Sequence, residues 1–185
     1  MRYLNSVLIL VVSLGFLACN DQGNWFGPVY DVEGNLARDR GIIDEYLQTA
    51  DFDSISRIHD PSGVVVIVKE EGTGSRPQSG NTVYANYIGY LLDGSVFDSN
   101  LEDVAKENDI HDEERNYDIF SFLLDVPAGQ GGAIEGFNFG FKRLRSGARA
   151  TLIIPSPHGY RDNENIPRIP PNSVLVFDVE FLGMD

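Results

Sequence analysis

The sequence predicts an α+β domain, with several strands around one short inner helix and a second short helix ahead of them. Three observations carry this. Apolar runs that alternate, or are β-branched at every position, recur from Val64 onward; one apolar stripe at three- and four-residue spacing interrupts them; Gly/Pro-containing turns separate them. No internal repeat or low-complexity block is present.

Taken in order, Arg2 precedes an apolar run from Val7 to Ala18 that ends at the only cysteine, Cys19, followed by Asn20 and Asp21. The run is short for a permanent membrane span and reads as a signal peptide over residues 1–18. Residues 19–35 are polar and Gly-rich, as a tether would be. Leu36, Ile43, Tyr46, Leu47 and Ala50 recur at helical spacing around Gly41, which predicts a short amphipathic helix within an extension over 36–58.

The domain proper is expected over 59–185. Val64 to Val68 is continuously β-branched and Val83 to Leu91 is apolar on both faces; Phe120, Phe122 and Leu124 alternate, as do Ala148, Ala150, Leu152 and Ile154. Between the last two sets, Ile134, Phe137, Phe141 and Leu144 predict the inner helix. Pro170 and Pro171 lack the N–H a central strand needs and push Ile169 to an extended conformation. Immediately after, Val174, Val176, Asp178 and Glu180 alternate with Leu175, Phe177, Val179 and Phe181, a strand with one well-buried face. A stiff loop anchored to such a strand either simply closes the sheet, the commoner use of a proline pair, or presents Ile169 as a fixed apolar wall.

With 42% hydrophobic and 11% aromatic residues, the 185-residue chain supports one principal core. A formal charge of −14 argues against nucleic acid, which requires clustered Lys and Arg. The acidic stretch Asn100 to Asp118 reads as a solvated surface insertion, because its carboxylates lack the spacing and turn glycine of a calcium loop. His59, His111 and His158 have no paired spacing, so neither a metal site nor a nucleophilic triad is expected, and no phosphate loop or other cofactor motif is found.

Taken singly, Phe97, Phe120, Phe137 and Phe177 read as core aromatics, Tyr87 and Tyr160 as half-buried tyrosines, and Asp98 as a turn residue. Their joint order says more. The stretch Tyr87-Ile88-Gly89-Tyr90-Leu91-Leu92-Asp93-Gly94-Ser95-Val96-Phe97-Asp98-Ser99, then Ala133-Ile134-Glu135-Gly136-Phe137, then Pro155 to Tyr160 leading into Ile169-Pro170-Pro171-Asn172, resembles the FK506-binding-protein family of peptidyl-prolyl cis–trans isomerases from about Ser62 to Asp185. The approach to Cys19 is similar to the lipobox of bacterial lipoproteins, with Phe16 and Leu17 departing from its usual residues. The tethered layout resembles the secreted lipoproteins of this family in Gram-negative bacteria.

The resemblance implies an antiparallel twisted sheet, a half-barrel, wrapped on the short helix. It implies a substrate pocket of Phe97, Phe120, Ala133, Phe137, Ile169 and Phe177, in which the Ile134 N–H and the Tyr160 hydroxyl hold the substrate backbone while Asp98, held by Tyr87, faces the carbonyl. It further implies acylation of Cys19, attachment to the membrane through that lipid, proline-containing polypeptides as partners, macrolides as inhibitors, and no cofactor or metal. A non-catalytic binder of proline peptides on the same scaffold is the alternative. Three departures bear on the pocket: Phe137 stands where the family has tryptophan, Ala133 where it has valine, and Arg161 where it has glycine. The segment Val126 to Gly132 lengthens the approach to Ile134.

If Cys19 carries the anchor, Cys19→Ala is expected to leave the membrane fraction once the signal is removed, since no other long apolar segment follows. Fractionation of cells expressing both forms checks this; a processed variant that still sediments with membranes refutes it.

Overall fold

A strand apolar at every position has to be covered on both faces, and the Val64–Val68 run meets that condition. In the computed structural model, which describes residues 29–185, its side chains divide between two clusters. Val64, Val66 and Val68 join the main core; Val65 and Ile67 join a smaller one on the opposite face with Ile43, Ile153, Val174 and Val176. The molecule is therefore layered as outer helix, sheet and inner helix.

The elements in chain order are α1 (Val32–Thr49), β1 (Ser56–His59), β2 (Val65–Glu70), β3 (Thr82–Leu91), β4 (Val96–Ser99), α2 (Glu102–Glu107), β5 (Phe120–Leu123), α3 (Glu135–Phe141), β6 (Arg149–Ile154) and β7 (Leu175–Met184). The strands form one sheet in the order β1-β2-β6-β7-β3-β4, with β5 beside the first half of β3. Every ladder is antiparallel. The inner face packs on α3, whose Phe137 and Phe141, with Leu144 just beyond, are buried.

Helix α3 lies close to the sheet because two of its residues have no side chain. A Cβ at Gly136 would run into Ile154, and one at Gly140 would stand 2.7 Å from Leu152 Cδ1; both neighbours are fully buried on β6. Small residues four apart thus form the contact face of the helix.

The structure differs from the sequence-based layout in four places. Helix α1 begins at Val32, inside the stretch expected as tether, because Asp31 caps it by accepting the Gly34 N–H at 2.8 Å. The four-residue β1 starts inside the expected helical extension and pairs with β2, so extension and domain share one sheet. The start of β7 is covered on its second face too, since Ile43 of α1 clusters with Val176 and with Val174 just ahead of the strand. The acidic stretch is not wholly a solvated surface, for α2 buries Ala105.

The signal-like run, Cys19 and most of the expected tether lie outside the described residues. Among the described residues no helix is long and apolar enough to cross a membrane.

The tight α3–β6 contact yields a test. Alanine has the better helix propensity, yet Gly136→Ala is expected to lower the unfolding free energy by about 1–3 kcal/mol, because Ile154 has no free space to move into. Denaturant titration measures the change.

Candidate active site

The inner face of the sheet ends in a concave group of rings. Antiparallel register sets Gly89 of β3 opposite Phe177 of β7, and on its other side opposite Asp98 of β4. A Cβ at Gly89 would lie 2.6 Å from the Phe97 ring and 2.8 Å from the Phe177 ring. The missing side chain makes the room in which these two rings meet edge to face, with centroids 5.4 Å apart.

Phe137 reaches the same place from α3 and sits edge-on to Phe177 at 4.8 Å. Tyr87 packs edge-on against Phe120 at 5.2 Å, Phe177 at 6.1 Å and Phe137 at 6.2 Å. Ala133 and Ile169 are buried in the same cluster, and Phe120, Ile134 and Tyr160 pack against it half-buried. Ile134 is the N-cap of α3, so its N–H has no intrahelical acceptor. All ten residues singled out from the sequence pattern are therefore brought to one site.

The polar side of the site is Asp98. The Tyr87 hydroxyl donates to its Oδ2 at 2.6 Å, and Arg115 donates to its Oδ1 at 2.5 Å and to the Tyr87 oxygen at 3.2 Å. Arg115 comes from the acidic stretch. Its guanidinium lies over the Tyr117 ring at 5.2 Å, and Tyr117 stacks on His111. The strand carrying Asp98 is itself fixed: Ser99 Oγ donates to the Tyr87 carbonyl at 2.7 Å, and Asn100 Oδ1 accepts the Tyr87 N–H at 2.8 Å.

Burial, and then the adjacent Asp98 carboxylate, push the Tyr87 hydroxyl well above its ordinary pKa; burial followed by the same carboxylate raises Tyr160. Both stay neutral donors at ordinary pH. Beside the Ile134–Tyr160 edge a cavity of about 550 Å³ opens, lined also by Val126, Phe139, Pro157 and His158.

Residues 74–182 match the family described as FKBP-type peptidyl-prolyl cis-trans isomerase. The chain belongs to this family. Among curated relatives, the FKBP-type peptidyl-prolyl cis-trans isomerase FkpA of Escherichia coli (strain K12) is 36% identical over 123 residues, covering 66% of this chain and 38% of that protein. Peptidyl-prolyl cis-trans isomerase FKBP4 of Homo sapiens is 34% identical over 127 residues, covering 66% of this chain and 24% of that protein. The chain thus spans about two fifths or less of the length of these relatives. The crystal structure of FkpA from Escherichia coli superposes with a TM-score of 0.58 at 30% identity, over 83% of this chain and 62% of that one. The open antiparallel sheet with its short helix is the FKBP fold.

Sequence reasoning missed Arg115 and Asn100, and it quoted Gly89 and Ser99 within the motif without reading their roles. The two-residue step between Tyr87 and Gly89 was visible, but its use, space for two rings, depends on the register of three strands. Arg115 carried no local signal, because it lies in a stretch dominated by carboxylates.

Phe137 stands at the centre of the ring set, touching Tyr87, Phe120, Phe122, Phe141 and Phe177. Phe137→Ala is accordingly expected to cost about 3–5 kcal/mol of unfolding free energy, read from denaturant midpoints. A loss under about 1 kcal/mol would mean that the ring set does not depend on it.

Proposed function

We propose that this chain catalyses the cis–trans isomerisation of X–Pro bonds in secreted or envelope polypeptides, and that Cys19, once acylated, anchors it to a bacterial membrane. The observation that carries the catalytic reading is Asp98, held by Tyr87 and Arg115 at the edge of an apolar floor of rings. Membership of the FKBP family supports the same activity.

Rotation about a peptide bond faces a barrier of about 18–20 kcal/mol, because conjugation is lost in the twisted state. In that state the carbonyl oxygen carries less negative charge than in the planar amide. A floor of Phe97, Phe137 and Phe177 is poor solvent for the planar dipole and tolerates the twisted one, so the difference lowers the barrier. The Ile134 N–H and the Tyr160 hydroxyl hold the substrate backbone, and Asp98 faces the carbonyl, its orientation fixed by two donors. No covalent bond changes and no proton moves. Macrolides that mimic a twisted prolyl amide fit the same site, and Phe137 offers them a smaller floor than an indole would.

In a protease-coupled assay on a proline tetrapeptide, Asp98→Ala and Tyr160→Phe are each expected to lower kcat/KM about tenfold or more in folded protein. Parent activity should stay flat between about pH 6 and 9, since the roles are positional. The sign follows from the raised tyrosines: stability held by the neutral Tyr87 and Tyr160 hydroxyls is complete below the ordinary tyrosine pKa of about 10, and is lost as pH climbs through their higher folded values. Unchanged activity in both variants removes the assigned roles, and peptide binding without acceleration in the parent leaves the non-catalytic binder.

A further inference from the structure

We infer that the Arg38–Asp39 pair of α1 is a positioning device for the pocket, a latch that fixes both ends of the segment 156–172 carrying Tyr160 and Ile169. Its consequence for turnover rests on the isomerase reading above; its geometry does not.

Asp39 is fully buried on a helix that is otherwise mostly exposed. One carboxylate oxygen accepts the backbone N–H of Ser156 at 2.7 Å, and the other accepts two N–H groups of Arg38 at 2.8 and 2.6 Å. The same guanidinium donates to Ser156 Oγ and to the Asn172 carbonyl, each at 3.1 Å. A single ion pair thus grips residue 156 at the start of the segment and residue 172 at its end.

A second contact adds to this grip. The Tyr30 hydroxyl lies 3.3 Å from Ser156 Oγ, and its ring lies 5.7 Å beneath the Arg161 guanidinium. Arg161 has φ +57, the left-handed region that favours glycine, and it occupies the position where the family pattern has glycine. Its N–H donates to the Ser156 carbonyl at 3.0 Å, and its carbonyl accepts the Asn172 N–H at 2.6 Å. Residues 156, 161 and 172 are therefore joined to one another and to the N-terminal helix.

Helix α1 has an apolar contact separate from this pair. Ile43 already buries itself among Val65, Ile67, Ile153, Val174 and Val176. A buried carboxylate is a poor source of stability, because desolvation offsets much of its pairing energy. What it supplies is direction, since two charge-assisted bonds fix where a backbone N–H and a backbone carbonyl can sit. Tyr160 follows the first anchor by four residues and Ile169 precedes the second by three, so a shift at either end displaces the pocket wall relative to the ring floor. A misplacement of about 1 Å in such a group can cost 100-fold in rate.

The test uses the full processed chain and four variants: Arg38→Ala, Asp39→Ala, Asp39→Asn, and Val68→Ala as a control. Val68 pairs with Ala150, at the end of β2 and β6 remote from the segment. Three readings are taken on each: kcat and KM on a proline tetrapeptide, amide hydrogen exchange across 156–172, and the thermal midpoint. Arg38→Ala is expected to lower kcat/KM about tenfold and to speed exchange within 156–172 while the sheet stays protected. Asp39→Asn keeps an acceptor for the Ser156 N–H but turns its NH2 toward the Arg38 guanidinium, so it should recover only the part of the Asp39→Ala loss that the Ser156 bond carries and fall between Asp39→Ala and the parent. Val68→Ala should lower the midpoint and leave kcat/KM of the folded protein at the parent value.

The inference is overturned if folded Arg38→Ala keeps parent turnover and parent exchange, or if Val68→Ala lowers kcat/KM as much as Arg38→Ala does. Should Asp39→Ala not fold, Arg38→Ala decides alone, since its guanidinium is partly exposed. Should the parent fail to accelerate isomerisation, the isomerase reading falls and exchange alone decides the latch: faster exchange confined to 156–172 in Arg38→Ala upholds it, and unchanged exchange ends it.

Discussion

The pairing of β3 with β7 is the constraint on which the site depends. It places Gly89 across from Phe177 and Tyr87 across from Val179, and the far side of β3 then receives β4 with Phe97 and Asp98. Because the side-chain period of a strand is two, a one-residue slip between the two strands would put Phe177 and Tyr87 on opposite faces of the sheet and separate floor from edge. The slip is opposed on both sides of the sheet. Leu175, Phe177, Val179 and Phe181 fill the main core, while Val174 and Val176 are needed beneath α1. Covering both faces fixes the register, and the register fixes the site.

Within that frame, rigidity is arranged unequally. The floor is held by ring packing, which is dense and non-directional. The Asp98 edge is held by directed bonds from three parts of the chain: Tyr87 on β3, Arg115 from the acidic stretch, and the Ser99–Asn100 contacts back to β3. The remaining wall, with Tyr160 and Ile169, belongs to a long connection in which Arg161, Arg168 and Asn172 all take left-handed conformations. Such a connection does not hold its shape through local preference, and its bonds to α1 compensate for that. Apolar packing therefore sets what the site excludes, and polar contacts set where its edges stand.

How much of this was legible in the sequence depended on the range of the interaction. The continuous run Val64–Val68, the alternation from Val174 to Phe181 and the stripe from Ile134 to Leu144 were readable because each is a local periodicity. The pocket residues were readable through ordered motifs, which preserve the outcome of long-range packing in short stretches. Strands β1 and β4 were too short for a period to appear. The onset of α1 was hidden because Asp31 and Gly34 look like tether residues until the cap forms. Arg38 and Asp39 carried no signal at all, since their partners lie more than 100 positions away. In the acidic stretch, composition pointed toward solvent, yet it delivers the Arg115 cation to Asp98.

The entry of the chain into the domain links the site to the proposed anchor. Tyr30, the second described residue, already touches Ser156, so the polypeptide arrives at the connection that carries the pocket wall instead of at a remote corner. Ten residues stand between Cys19 and Tyr30, a span of eleven peptide steps. Fully extended, that length reaches at most about 40 Å. With Cys19 acylated, the proposed site is thus confined to a shell near the bilayer surface whatever path those residues take, and a polypeptide within that shell meets it at a raised effective concentration. Because α1 is bonded to the pocket wall rather than strung from the domain by a flexible joint, the site is also restricted in how far it can turn away from the point where the chain enters. On the proposed function, anchor, helix and wall act in series: the first limits distance, the second orientation, and the third the geometry of a bound proline.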